Sequence, residues 1–195
     1  MTGYDFDKTI YAGNCFADFY FYCLLRRPYI ALLLPYQAII GLLYLVRAID
    51  RRRCKQLFHI YLSWLWKRES LITQFWQGHI KKIKAWYLAQ KRDDDVIVSA
   101  TPKFFLQPAC NQLGLRYLIA TEMNPCNGVI RGDNCCGVNK VKMFQQTFGA
   151  NTKLAAFYSD SRSDIPMMQL AERGYLVYGN RIVEYQKWKL VFLDE

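Results

Sequence analysis

Apolar residues in this chain follow two different periods. Beyond residue 95 they come as short continuous runs: Val96-Ile97-Val98, Tyr117 to Ala120, Leu154 to Tyr158 and Tyr175 to Tyr178. Runs of this length, bounded by turn residues, predict strands buried on both faces, as in a parallel sheet. Between them, Lys103 to Leu113, the stretch opening at Asn139, and Ile165 to Arg173 carry helical spacing, with Gly114 placed to cap the first. Asn124 to Gly137 is rich in Asn, Gly, Pro and Asp and predicts a turn or hairpin; Gly179-Asn180 turns the chain again. Alternating strands and helices predict an α/β fold with a parallel sheet.

The first ninety residues read differently. Gly3 to Phe6 predicts one short buried strand, and Thr9 to Gly13 the loop leaving it. Asn14 is placed to cap a helix that runs to Arg27 and stops at Pro28. Tyr29 to Val46 follows without a single charge, bracketed by Arg26/Arg27 and by Arg47/Arg51/Arg52/Arg53. Its length approaches the roughly 20 residues of a spanning helix. A single span would put Asp5 and the later strands on opposite sides of a bilayer. A second span is missing, because Leu57 to Trp66 is short and holds His59 and Ser63. Two readings remain: a soluble helical insert, as a buried helix or a helix pair broken near Pro35, or a hairpin dipping into a membrane interface. Leu57, Ile60, Tyr61, Trp64 and Leu65, then Leu71, Phe75, His79, Ile83 and Trp86, keep helical spacing and predict two more helices. Lys91 to Asp95 reads as a solvated turn. The expected organisation is therefore an α/β core of residues 1–11 and 91–195, with an all-helical insert of residues 12–90 after the first strand.

Charge sharpens this division. Residues 12–90 hold twelve of the Lys/Arg and three of the Asp/Glu, and so carry nine of the ten net positive charges. A basic, aromatic insert points to an anionic partner: a phosphorylated small molecule, a lipid head group or an anionic membrane surface. Nucleic acid is not expected, since no motif for it is present. The seven cysteines include no C-x-x-C pair, and His59 and His79 lie far from any cysteine pair, which argues against zinc. Reduced thiols and the lack of a leader-like N-terminus predict a cytoplasmic protein, in the interfacial reading one at the inner face of the membrane.

The candidate chemistry sits at strand ends. Asp5 and Asp7 alternate after the first strand, so both can face one small volume. Carboxylates that close need a cation or a shared proton between them, and oxygen-only ligands favour magnesium. Ser99 and Ala100 end the run Val96-Ile97-Val98, Lys140 opens a helix, and Asp160 and Asp164 follow the run ending at Tyr158. A lysine at a helix start opposes the helix dipole, which favours a role facing an anion.

This order and spacing resembles the haloacid dehalogenase-like hydrolase superfamily along the whole chain. Its first motif matches Asp5-Phe6-Asp7-Lys8-Thr9, its second Ser99, its third Lys140 and its fourth Asp160 with Asp164. An all-helical insert after the first motif is similar to the branch that contains phosphoserine phosphatases. Arg26-Arg27-Pro28 before a long apolar stretch looks more like the bacterial phosphatidylglycerophosphatase C type. The resemblance implies a Rossmann-like parallel sheet sandwiched by helices, with a helical cap. It also implies phosphate monoester hydrolysis: Asp5 as nucleophile, forming an aspartyl-phosphate, and Asp7 as acid and then base. Ser99, Ala100 and Lys140 would hold the phosphoryl group. Magnesium (Mg2+) would be held by Asp5, Asp160 and the backbone carbonyl of Asp7, with Asp164 in support. Lys8, Ser159 and Ser161 stand where glycines are usual. Asn14 stands where phosphoserine phosphatases carry an acidic residue for the substrate's amino group, which argues against phosphoserine.

Overall fold

The computed structural model describes residues 1–185. Its six strands are β1 (Thr2–Tyr4), β2 (Val96–Pro102), β3 (Tyr117–Thr121), β4 (Leu154–Ser159), β5 (Ala171–Tyr178) and β6 (Arg181–Tyr185). They form one sheet in the order β3-β2-β1-β4-β5-β6, parallel except for the β5–β6 hairpin at the edge. The chain builds outward from β1 to β3 on one side and through β4 to β6 on the other. The direction reverses between β1 and β4, and the carboxyl ends of those strands flank the crevice where such sheets place ligands.

Each central strand buries both faces. Val96 and Val98 join Ile119, Phe157 and Leu154 beneath α7 (Val138–Phe148) and α8 (Ile165–Leu170). Ile97, Tyr4 and Ala120 face the other way, into a cluster shared with α6 (Lys103–Gln112) and the preceding helices. Gly3 is needed at the centre: a Cβ there would lie 2.7 Å from the Phe157 ring and 2.8 Å from Leu154.

Between β1 and β2 the described elements are helical: α1 (Cys15–Arg26), α2 (Leu34–Leu45), α3 (Arg51–Phe58), α4 (Arg68–His79) and α5 (Ala85–Gln90), with 3-10 turns between several of them. Asn14 caps α1 by accepting from the Ala17 N–H at 2.9 Å. Phe19, Phe75 and Trp76 pack on Phe105 of α6 with ring centroids 4.9–5.4 Å apart, and the Trp76 indole donates to the Phe105 carbonyl at 2.7 Å.

Four details depart from the sequence reading. The stretch from Leu71 to Trp86 is not one helix. Ile83 is extended and bridges Tyr11, while Lys84 N–H donates to the Ile10 carbonyl, so pairing with the loop after β1 outcompetes helix continuation. The helix from Ile165 ends at Leu170 rather than Arg173, because Ala171 already pairs with Leu154 in the sheet. Strand β6 was not marked by an apolar run, since it is an edge strand with exposed Arg181, Glu184 and Val183. Finally, the uncharged stretch is two helical pieces broken beside Pro35, as one reading had it, but it is mostly exposed rather than buried. A 3-10 turn, Pro28–Leu33, leads into α2, and of Pro28–Leu45 only Ile30, Gln37 and Ile40 are buried.

Candidate active site

The carboxyl ends of β1, β2 and β4, the start of α7 and the inner faces of α1 and α3 enclose a cavity of about 630 Å³. All seven residues proposed from the sequence line it: Asp5, Asp7, Ser99, Ala100, Lys140, Asp160 and Asp164.

Asp5 and Asp164 meet on one lysine. Lys140 Nζ, fully buried, lies 2.7 Å from Asp5 Oδ1 and 2.6 Å from Asp164 Oδ2. Asp164 also accepts from the Ser159 hydroxyl at 2.8 Å. Gly137, at a φ of +55°, turns the chain into α7 and brings Lys140 inward within the first turn. Burial works against the Lys140 charge, but Asp5 and Asp164 more than offset it and hold the ammonium above its ordinary range. Asp5 is pushed up from the usual carboxylate range by burial first; Lys140 opposes the shift, and Asp164 and Asp7 add to it. Burial also raises Asp160. Four carboxylates, Asp5, Asp7, Asp160 and Asp164, line the cavity with three lysines, Lys8, Lys55 and Lys140, so the lining keeps a negative charge in excess, and burial makes that excess costly.

Asp7 is oriented by two donors. Its Oδ1 accepts from the Cys15 N–H at 2.6 Å, at the start of α1, and its Oδ2 from the Thr101 hydroxyl at 2.5 Å. Thr9 fixes the neighbouring loop by donation from the Asp160 N–H to its hydroxyl at 2.9 Å. Lys8 adopts a left-handed φ of +57°, the conformation that suits the glycine usual at this place in the family motif. Ser159 and Ser161, the other two departures, stitch the loop after β4: the Ser161 N–H donates to Ser159 Oγ at 3.1 Å and the Ser163 N–H to Ser161 Oγ at 3.2 Å.

Ser99 is buried, and its hydroxyl accepts from the Thr101 N–H at 3.2 Å. Ala100 presents its carbonyl to Lys55 of α3 at 2.6 Å and to Thr121 at 2.9 Å. Lys55, Thr101, Asn134 and His59 line the same cavity without having been singled out in the sequence. Thr101 alone carried a local signal, standing beside Ser99 at the polar end of a strand. Lys55 and His59 are brought in by the packing of α3, which no local pattern encodes.

The donor set is all hard oxygen. Among the described residues, no three His, Cys, Asp or Glu side chains are arranged to hold a metal ion alone. Magnesium takes one or two carboxylates and fills its octahedron with water and substrate oxygens. Asp5 and Asp160, with a surplus charge to offset, fit that ion rather than one needing a closed cage.

A parallel sheet with this reversal point, and an aspartate cluster around one lysine at its carboxyl edge, defines the class: the chain belongs to the haloacid dehalogenase-like hydrolase family, whose model matches residues 2–169. Among curated proteins it is similar to Protein CicA of Caulobacter vibrioides, 33% identical over 89 residues, which is 43% of this chain and 40% of that protein. The match thus spans less than half the length of that relative. Among solved structures, a Bordetella pertussis Tohama I protein of unknown function superimposes with a TM-score of 0.72 at 21% identity, covering 89% of this chain and 87% of the other. A probable phosphoserine phosphatase from Vibrio cholerae gives 0.61 at 16% identity, covering 89% and 55%. A phosphoserine phosphohydrolase-like protein from Francisella tularensis gives 0.54 at 18%, covering 89% and 84%. At these identities the likeness is one of fold.

Proposed function

We propose that this protein is a magnesium-dependent phosphatase that hydrolyses a phosphate monoester through an aspartyl-phosphate on Asp5. The observation that carries the reading is the contact of Asp5 with buried Lys140, beside a doubly held Asp7, at the mouth of a cavity. Asp5 attacks phosphorus while Asp7 gives its proton to the departing oxygen. Asp7 then takes a proton from the water that cleaves the acyl phosphate. Lys140 faces the developing charge on the phosphoryl oxygens and holds Asp5 in line. Ser99 and the backbone of Ala100 border the same volume and would receive the phosphoryl oxygens. Asp5, Asp160 and the Asp7 carbonyl would hold magnesium, with Asp164 locked by Lys140 and Ser159 in support. When bound, the ion supplies the positive charge that lets an anionic ester approach a carboxylate. In this reading residues 1–11 and 91–185 form the core and residues 12–90 the cap that selects the substrate; residues 186–195 of the expected core lie outside the described residues. The test is phosphate release from an aryl phosphate with magnesium and with chelator, for the native protein and Asp5→Asn. Equal release by the variant would exclude this nucleophile.

A second reading concerns the substrate, a lipid head group reached at an anionic membrane, and the exposure of the uncharged stretch favours it. Pro28–Leu45 is, among the described residues, the one helical stretch long and apolar enough to cross a membrane. Leu32 (74% exposed), Leu42 (60%) and Leu45 (77%) point outward, and exposed Arg26, Arg47, Arg52 and Arg53 flank them. Phe21, 62% exposed, also lines the wall of the cavity. An apolar face with basic flanks is how a helix rests in an anionic interface. Co-sedimentation with anionic vesicles at low salt, lost in Leu42→Glu/Leu45→Glu, is expected. Absence of binding by the native protein would leave the small-metabolite reading. All seven cysteines are free thiols, in keeping with a reducing, cytoplasmic location.

A further inference from the structure

The proton donor of the reaction has its own clamp. Between Ser99 and Pro102 the pairing of β2 with β3 shifts: Ser99 pairs with Ala120, and Pro102 with the very next residue, Thr121. Ala100 and Thr101 are therefore extra residues on β2, an irregularity of the kind that re-aims side chains beside active sites. The Ser99 hydroxyl accepts the Thr101 N–H at 3.2 Å and pins the irregular segment. Thr101, only 6% exposed, then points its hydroxyl at Asp7 Oδ2, at 2.5 Å. The opposite oxygen is held from another segment, by the Cys15 N–H at 2.6 Å. Two donors on the two oxygens fix both the position and the plane of the carboxylate.

We infer that Thr101 is a positioning residue for Asp7, setting the direction in which Asp7 delivers its proton to the leaving oxygen. The inference rests on the phosphatase reading above and goes beyond it by giving β2 a part in proton transfer besides phosphate binding. In the step concerned the bond from phosphorus to the leaving oxygen breaks, a bond from Asp5 to phosphorus forms, and the Asp7 proton moves to the leaving oxygen. Thr101 exchanges no proton with the substrate. It keeps Asp7 from swinging away, and such alignment matters most where the leaving group cannot depart unprotonated.

The test compares two esters. β-Glycerophosphate releases an alkoxide that needs a proton; p-nitrophenyl phosphate releases a phenolate that does not. The quantity to measure is kcat/KM, which reports only the steps through the first phosphoryl transfer. Thr101→Val keeps the shape and removes the hydroxyl; Thr101→Ser keeps the hydroxyl. For Thr101→Val, kcat/KM on β-glycerophosphate should fall about ten-fold or more beyond any fall on p-nitrophenyl phosphate, a part of the about 10²–10⁴ that general acid catalysis contributes. Thr101→Ser should restore most of the difference. In an Asp7→Asn background, Thr101→Val should cost nothing further. Equal losses on both esters, or no rescue by serine, would overturn the inference and leave the phosphatase reading intact. Failure of the native protein to hydrolyse either ester would overturn both.

Discussion

Lys140 and Asp5 are 135 positions apart in the chain, yet their side chains meet at 2.7 Å with the lysine fully buried. The same ammonium holds Asp164 at 2.6 Å, so one cation joins the ends of β1 and β4 across the point where the strand order reverses. Buried ion pairs of this kind contribute little net stability against well-packed apolar residues, but breaking one by removing a single partner is costly. The arrangement is therefore better understood through what it does to charge at Asp5 than through what it adds to the fold.

Replacing the lysine should reveal that asymmetry. Lys140→Met leaves Asp5 and Asp164 buried without their cation and is expected to cost about 3–5 kcal/mol in urea unfolding. Adding Asp164→Asn should recover part of the loss, because one of the stranded charges is removed. A double variant no more stable than the single one would mean that packing, not charge, dominates at this position.

Asp5→Asn keeps the shape of the side chain and removes the proposed nucleophile. Phosphate release is expected to fall at least about a thousand-fold. Chelation of magnesium should lower release by the native protein, with recovery on adding the ion back. Residual activity above about a tenth of native in the variant would assign the attack to another group.

The pH dependence of stability has a contribution with a known sign at His59. Burial first, and then the Lys55 ammonium, lower this imidazole to about 4, although its Nδ1–H donates to the Lys55 carbonyl at 2.5 Å. In the unfolded chain the group titrates near about 6.5. Between these values the unfolded chain binds a proton that the folded one refuses. The contribution of His59 is thus fully present above about 6.5 and is lost as pH falls towards about 4. Urea midpoints of the native protein should drop more steeply between pH 7 and pH 4.5 than those of His59→Gln. Parallel slopes would show that the folded protein accepts the proton without cost.

Phe105 is the joint between the helical insert and the sheet side of the molecule. It is fully buried, with Phe16, Phe19, Phe75 and Trp76 around it at centroid distances of 4.9–5.4 Å. Phe105→Ala should destabilise the protein by about 3–5 kcal/mol, as large-to-small changes in aromatic cores do. A loss below about 1 kcal/mol would mean that the insert repacks freely on α6.

The order of strands and helices after residue 95 could be read from the sequence because the strands are buried on both faces and announce themselves as unbroken apolar runs. The edge strand β6 could not, since one side of it faces solvent and its polar residues hide the pattern. Helices were legible wherever periodicity and caps agreed, as at Asn14. They were misjudged at Ile83 and Ala171, where pairing with distant chain segments overrode the local preference. The uncharged stretch had the composition of a core, and only its placement on the outside shows that Leu42 and Leu45 face away from the protein.

By itself the sequence determined which residues are candidates for the chemistry, and that Asp5, Asp7, Ser99 and Asp160 follow apolar runs while Lys140 opens a helix, because side-chain identity and periodicity are local properties. Tertiary structure alone decided that Asp5, Lys140 and Asp164 share one buried contact, that Thr101 rather than Ser99 reaches Asp7, and that Lys55 and His59 enter the same cavity. Such contacts come from strand order, an irregular register and the packing of helices far apart in the chain, and none of these leaves a periodic trace in the segment it acts on.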